Sequence, residues 1–338
     1  MVSLSDVRAH NATLKQLPSG LVAVFVGGTS GIGLFTAREF VRNTTSPHVY
    51  LVGRNASEAT KIIAELRAIN SSSTIDFIQK DVSLLRNVDE VCAEIKAKER
   101  HINLLFMTCG YFVFRGREET TEGLDRKFAL HYYTRMRFAQ QLTPLLAVAS
   151  ASQPGALSRV VAVLDPHPGL ANTPNWTDLS LKTHFGLKAC AVHASAMTNL
   201  FQSRLATQFP NTSFVHAYPS GVETNGGREA FGPFAFLGKA LFKLAKVLTV
   251  PQQESGERHL FAATAPRFAP RAVAASVSDA AVGGDLVRGS GSYFVSWDGE
   301  IVPDKPQGKA MREEGKEEVV WQHTEEVFKK ICKEGGKY

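Results

Sequence analysis

The sequence predicts an α/β fold in which helices cover both faces of a doubly wound parallel sheet of about seven strands. Two patterns support this prediction. Short β-branched runs alternate with helical spacing along the chain, and the first of these runs ends in a glycine-rich turn. With 338 residues, 44% of them hydrophobic, the chain can bury one large core, so we expect a single domain over residues 1–338.

The first strand and the turn after it define the start of this fold. Val22–Val26 is an apolar β-type run, and helical spacing resumes over residues 34–40. In the turn, Gly27 permits a tight bend, Gly31 lets the backbone approach a pyrophosphate, and Gly33 lets the new helix pack closely on its strand. The helix N-terminus supplies N–H groups to phosphates. This is the opening unit of a Rossmann-type dinucleotide-binding sheet.

The other elements follow in order. After a leading arm over residues 1–20 and the first strand, we predict further strands at residues 47–54, 75–82, 102–110, 159–165, 213–218 and 291–296. Helices are predicted between them at residues 56–70, 85–99, 122–146, 188–208 and 254–264. Residues 225–265 begin with a run rich in phenylalanine, and such an apolar segment favours contact with a hydrophobic small molecule. Residues 305–338 are expected to form a helical C-terminal extension that covers the sheet.

The residue after the second strand predicts which cofactor is bound. In dinucleotide folds an acidic residue here binds the ribose 2′-hydroxyl, whereas arginine pairs with a 2′-phosphate. This chain has Arg54 followed by Asn55, which favours NADP(H) over NAD(H). The alternative is an arginine that is simply solvated at a strand end.

Composition argues against several classes of function. The formal charge is +6 without a basic run, so nucleic acid is not an expected partner. No apolar run approaches the roughly 20 residues that span a bilayer, and the N-terminus lacks a signal-peptide pattern. The four cysteines show neither paired nor metal-type spacing, so no metal is expected. These features favour a cytoplasmic protein.

The spacing Gly-x-x-x-Gly-x-Gly at Gly27, Gly31 and Gly33 resembles the short-chain dehydrogenase/reductase family, and the resemblance extends over about residues 20–300. Asp81-Val82 is similar to the family's adenine-contacting pair, although Asp81 could instead cap the next helix. The stretch from Pro219 to Thr224 is similar to its Pro-Gly-x-Val-x-Thr motif. The family places its substrate lid after this motif, so the resemblance implies a lid at residues 225–265. The resemblance therefore implies cofactor contacts from Thr29, Ser30, Ile32, Asp81, Val82, Gly110, Pro219, Val222 and Thr224.

The same resemblance implies a fungal group whose genes lie beside those of secondary metabolism. Relatives often form dimers through two helices that flank the sheet, so a homodimer is expected unless the long extension blocks that face. Substrate, direction of reaction and oligomeric state stay open.

The catalytic residues of the family are missing. Its Tyr-x-x-x-Lys pair would fall on Val192 and Ala196 in one register, or one residue earlier in another, and no tyrosine in the chain precedes a lysine by four residues. The family's asparagine falls on His131, and its serine falls at the end of the fifth strand, where Asp165 stands. Proton transfer by the usual tyrosine therefore cannot be assigned.

Five residues are candidates for catalysis in its place: Asp165, His131, His167, Tyr133 and His193. Each also has a structural explanation, such as a buried core histidine or an aspartate that starts a turn. Three functions remain open: an NADP(H)-dependent oxidoreductase with other proton donors, a non-redox cyclase, isomerase or dehydratase, and a non-catalytic dinucleotide-binding protein.

Overall fold

The computed structural model describes residues 1–110, 115–152, 156–222 and 249–338. Its centre is a seven-stranded sheet in the order β3-β2-β1-β4-β5-β6-β7, with every neighbouring pair parallel. The strands are β1 (Val22–Val26), β2 (His48–Gly53), β3 (Thr74–Gln79), β4 (Leu104–Met107), β5 (Arg159–Val163), β6 (Ser213–Ala217) and β7 (Ser292–Val295). The predicted sheet is confirmed.

Helices connect the strands and cover both faces of the sheet. They are α1 (Leu4–Thr13), α2 (Gly31–Asn43), α3 (Ala56–Ile69), α4 (Leu85–Lys98), α5, α6 (His167–Ala171), α7 (Leu187–Gln208), α8 (Gln252–Thr264), α9 (Pro306–Glu313) and α10 (Lys316–Phe328). The long helix α5 consists of Arg126–Phe128, a π-helical turn at Ala129–Tyr133, and Thr134–Ser152. In the described part of the chain, no helix is long and apolar enough to cross a membrane.

Burial on both faces explains the apolar character of the strands. All five residues of β1 are buried, as are all those of β4, β5 and β6, because a parallel sheet has helices on each side. One core lies between the sheet and α4, α5 and α7, and the other lies between the sheet and α1, α2, α3 and α8. The strand order reverses between β1 and β4, which opens a crevice at their carboxyl ends.

The N-terminal arm is part of the domain. Within it, α1 packs against α8: Asn11 Nδ2 donates to Glu257 O at 2.9 Å, and Arg8 forms an ion pair with the Glu257 carboxylate at 3.1 Å. Most of α8 is buried, and it packs on α2. Residues 252–264, at the end of the range predicted as a lid, are therefore core helix. The rest of that prediction falls largely on residues 223–248, outside the described residues.

The C-terminal extension lies on the α5–α7 face. Trp321 stacks on Phe201 of α7 with ring centroids 4.7 Å apart, and the hydroxyls of Tyr132 and Thr324 are hydrogen-bonded at 2.6 Å. Beyond α10, Arg86 donates to the carbonyl oxygens of Ile331, Gly335 and Gly336. The extension therefore covers part of α5 and α7.

Candidate functional site

The turn after β1 has the geometry of a phosphate loop. Gly27 has φ +84°, and a Cβ there would lie 2.9 Å from Thr108 Oγ1 and 3.0 Å from Cys109 N. A Cβ on Gly33 would lie 2.5 Å from Gly27 O, so a side chain would force α2 away from its strand. Gly31 has φ +53°, which favours glycine. These three glycines hold the loop tightly against the ends of β1 and β4.

The N-terminus of α2 is suited to bind an anion. Ser30 is its N-cap in extended conformation (φ −164°) and makes no side-chain capping bond. The first-turn N–H groups of a helix lack partners within the helix and lie at its positive end, so they attract phosphate. The loop and helix end together fit the pyrophosphate of a dinucleotide.

The residues predicted for the adenosine end follow β2 and β3. Arg54 is exposed at the carboxyl end of β2. The Asn55 side chain caps α3 by accepting from Glu58 N at 3.1 Å. Asp81 follows β3, accepts from Ser83 N at 3.0 Å, and lies 3.8 Å from the guanidinium of Arg126. Asn55 and Asp81 therefore have structural roles at the edge where the sequence places the adenosine.

The opposite end of the crevice is formed by the residues after β4, β5 and β6. Gly110 follows Cys109, whose buried Sγ lies 3.6 Å from Leu130 O of α5. Pro219 follows β6, and Val222 forms a parallel bridge with Val250. Thr224 lies outside the described residues. The carboxyl ends of β1, β4, β5 and β6 thus bring the glycine loop, Gly110, Asp165 and Pro219 to one edge of the sheet.

Asp165 and His167 form a hydrogen-bonded pair at this edge. Asp165 Oδ1 lies 2.6 Å from His167 Nδ1 and also accepts from His167 N at 2.9 Å. The two side chains are 42% and 40% exposed. The His167 ring contacts the Tyr218 ring edge-on, with centroids 5.2 Å apart. The ring is therefore fixed on its Nδ1 side, whereas its Nε2 lies on the opposite side of the imidazole.

The turn that carries this pair is fastened to α7. Ser195 Oγ donates to Pro166 O at 2.8 Å and accepts from Gly169 N at 2.9 Å. Gly169 lies so close to α7 that a Cβ would be 2.1 Å from Ala196 N. In either register, the position of the missing lysine therefore lies against α6. A long side chain at Ser195 or Ala196 has no room in this packing.

His131 is buried in the π-helical turn of α5, a geometry that is frequent at functional sites. Burial, with a further contribution from the positive charge of Arg135, lowers its pKa from 6.5 to about 3. The imidazole is therefore neutral near pH 7, and it serves better as a hydrogen-bonding group than as a proton donor.

Two of the five catalytic candidates bind groups away from the Asp165–His167 pair. His193 Nε2 accepts from Asn175 N at 2.8 Å, and its Nδ1 lies 3.2 Å from Leu179 O, so both nitrogens hold the loop before α7. The Tyr133 hydroxyl lies 2.8 Å from His323 Nε2 of the C-terminal extension, and burial raises the Tyr133 pKa well above 10. Their contacts support the structural explanation for both residues.

Sequence reasoning missed Arg135. Its side chain is 2% exposed, and its guanidinium donates to the carbonyl oxygens of Leu130, Val163 and Cys109 at 3.2, 2.7 and 2.7 Å. The spacing of four from His131 on α5 puts both residues on one helix face and was the available signal. In the described parts of the chain, no group of three or more His, Cys, Asp and Glu side chains could hold a metal ion.

Comparison with known proteins agrees with this geometry. The family model described as short chain dehydrogenase matches residues 21–157. Oxidoreductase AN1596 of Emericella nidulans is 40% identical over 336 residues, which cover 97% of this chain and 98% of that protein. Short-chain dehydrogenase/reductase SAT2 of Stachybotrys chartarum is 27% identical over 363 residues, covering 98% of each protein.

Among solved structures, L-sorbose reductase from Gluconobacter frateurii in complex with NADPH and L-sorbose has the same fold. Its TM-score is 0.54 at 19% identity, and the match covers 84% of this chain and 97% of that one. The glycine loop, the strand order and the full-length similarity to a fungal oxidoreductase lead to one assignment. The chain belongs to the short-chain dehydrogenase/reductase family.

Proposed function

We propose that this chain is an NADPH-dependent oxidoreductase that acts on a hydrophobic small molecule of secondary metabolism, with Asp165 and His167 in place of the missing tyrosine and lysine. The observation that carries the proposal is the 2.6 Å hydrogen bond between Asp165 Oδ1 and His167 Nδ1 at the carboxyl end of β5. The oxidoreductase name of the relative from Emericella nidulans and the NADPH in L-sorbose reductase support the redox class.

The cofactor would lie along the carboxyl edge of the sheet. The N–H groups at the start of α2 would bind its pyrophosphate, and Arg54 would pair with the 2′-phosphate. NADPH supplies a hydride when bound. The residues after β4, β5 and β6 would surround the end of the site where the substrate reacts.

The Asp165–His167 pair can move the proton that a reduction requires. With Nδ1–H donated to the Asp165 carboxylate, Nε2 is the His167 nitrogen that can meet a substrate oxygen. In its protonated form, His167 donates Nε2–H to the oxygen as negative charge develops there. The hydrogen bond to Asp165 holds the imidazole ring in the orientation that this donation requires.

The same pair supports a second function. An aspartate and a histidine form a complete acid–base couple, which a cyclase, isomerase or dehydratase could use without a hydride. The two functions differ in what they consume: only the oxidoreductase uses NADPH in proportion to product and transfers deuterium from labelled cofactor.

Two experiments test the proposal. The first is fluorescence titration of the wild type and Arg54→Ala with NADPH and NADH; we expect NADPH to bind more tightly, and the variant to lose this preference. The second follows NADPH consumption with a panel of hydrophobic ketones, aldehydes and quinones. His167→Ala should lower turnover by about 10²- to 10⁴-fold, the usual contribution of a general acid.

His184→Ala is the matched control. His184 also pairs with an aspartate, since its Nδ1 lies 3.1 Å from Asp178 Oδ2, but it is two-thirds exposed and lies on the loop before α7. Its removal should leave turnover unchanged. Product formed from a panel member without NADPH consumption would replace the redox proposal with the acid–base one. Equal activity of His167→Ala and wild type would refute the assignment of the pair.

A further inference from the structure

The buried arginine Arg135 holds a positive charge below the carboxyl edge of the sheet. Two of its acceptors mark the place: Cys109 O follows β4 and directly precedes Gly110, and Val163 O ends β5, two residues before Asp165. The third acceptor is Leu130 O, beside His131. The guanidinium therefore lies between the ends of β4 and β5, beside the crevice that opens between β1 and β4.

In the described part of the chain, no acidic side chain pairs with Arg135. Its hydrogen-bond acceptors among the described residues are main-chain carbonyls. Carbonyl dipoles offset part of the cost of burying a cation, but they leave its net charge in place. Its positive potential contributes to the lowered pKa values of His131 and His216.

We propose that Arg135 supplies the fixed positive charge at the nicotinamide end of the site, and that it makes the protein bind NADPH in preference to NADP⁺. This inference rests on the proposed function. The oxidised nicotinamide ring carries a positive charge and the reduced ring carries none, so a buried cation nearby penalises only the oxidised form. When both forms are present, the protein would then bind mainly NADPH. Arg135 is a positioning residue here, because it acts on the cofactor through the electrostatic potential of its charge.

The size of the effect follows from Coulomb's law. At an effective dielectric of about 20, two unit charges roughly 10 Å apart repel enough to change a binding ratio by roughly ten- to twentyfold. A purely structural arginine, which only ties the strand ends to α5, would change the affinities for both cofactor forms together. The ratio of the two dissociation constants therefore separates the electrostatic role from the structural one.

The experiment is a titration of the wild type, Arg135→Lys and Arg135→Met with NADPH and with NADP⁺. We expect the wild type to prefer NADPH by at least about tenfold, Arg135→Lys to keep most of that preference because it keeps the charge, and Arg135→Met to lose it. Thermal unfolding and circular dichroism show which variants are folded.

Arg159 offers a matched control. It is also a buried arginine that donates to main-chain carbonyls, those of Ala262, Ala265 and Phe268, but it begins β5 at the opposite edge of the sheet. Arg159→Met should lower stability without changing the NADPH to NADP⁺ ratio.

The outcomes separate the two proposals. If the wild type binds both cofactor forms equally, or if a folded Arg135→Met keeps the preference, the inference is overturned while NADPH binding stands. If the wild type binds neither form, the proposed function itself fails. If Arg135→Met does not fold, the wild-type ratio and its retention in Arg135→Lys still decide the question.

Discussion

Replacing Gly169 with alanine should break the contact that holds the Asp165–His167 turn against α7. The added Cβ would lie 2.1 Å from Ala196 N and 2.5 Å from Ala196 Cα, whereas ordinary contacts begin near 3.4 Å. Both partners are backbone atoms, so α6 must move by more than 1 Å or α7 must bend. Overpacking of this kind costs roughly 1–3 kcal/mol, and we expect about 3 kcal/mol because no flexible side chain can yield.

Urea unfolding measures this loss of stability. Because His167 begins α6, the rate of NADPH consumption measures how far the displacement of α6 disturbs that residue. Gly186→Ala is the matched control: it lies at the N-cap of α7, its φ of −159° is extended, and an added Cβ has nothing within 4 Å. We expect this control to lose less than about 1 kcal/mol. If Gly169→Ala were as stable and as active as Gly186→Ala, the close packing of α6 on α7 would be wrong.

Three further results are expected. Stability should fall as the pH drops from about 6.5 towards 4, by about 1.4 kcal/mol per pH unit for each of His131 and His216. Burial lowers both pKa values to about 3, so only the unfolded chain binds their protons in that range. In urea unfolding at several pH values, the stability of His131→Asn should fall less steeply with pH, and an unchanged pH dependence would contradict this. Trp321→Ala should lower the free energy of unfolding by about 2–3 kcal/mol, because it removes the stack on Phe201 of α7. The control Val319→Ala, at an exposed position, should lower it by less than about 1 kcal/mol in the same thermal unfolding experiment, and equal losses would disprove the docking of the extension. Ser195→Ala should lower the free energy of unfolding by about 1–2 kcal/mol and lower turnover as well, since it removes both hydrogen bonds to the turn. Unchanged unfolding would refute these two hydrogen bonds.

The fold could be predicted from the sequence because its signals are local. Runs such as Val22–Val26 are buried on both faces, so they stay apolar throughout and stand out between helical patterns. Gly27 and Gly33 lie so close to neighbouring atoms that a side chain would not fit, and Gly31 has a positive φ that favours glycine.

The site was harder to predict because its residues depend on distant partners. The pairing of Asp165 with His167 is local, and the sequence named both. By contrast, Tyr133 meets His323, 190 residues away, and His193 binds backbone groups of the loop before α7 that no spacing rule indicates. Residue type alone suggested catalysis for Tyr133 and His193, whereas their contacts suggest support of the fold.

The C-terminal extension also determines the order in which the chain can complete its fold. The contact between Tyr132 and Thr324 spans 192 residues, and that between Arg86 and Gly336 spans 250. Contacts so distant in sequence form slowly, because a long loop must close first. Until the extension docks, Phe201 and the surrounding apolar face of α5 and α7 meet water, a surface that promotes aggregation. The yield of refolded protein should therefore fall as its concentration rises.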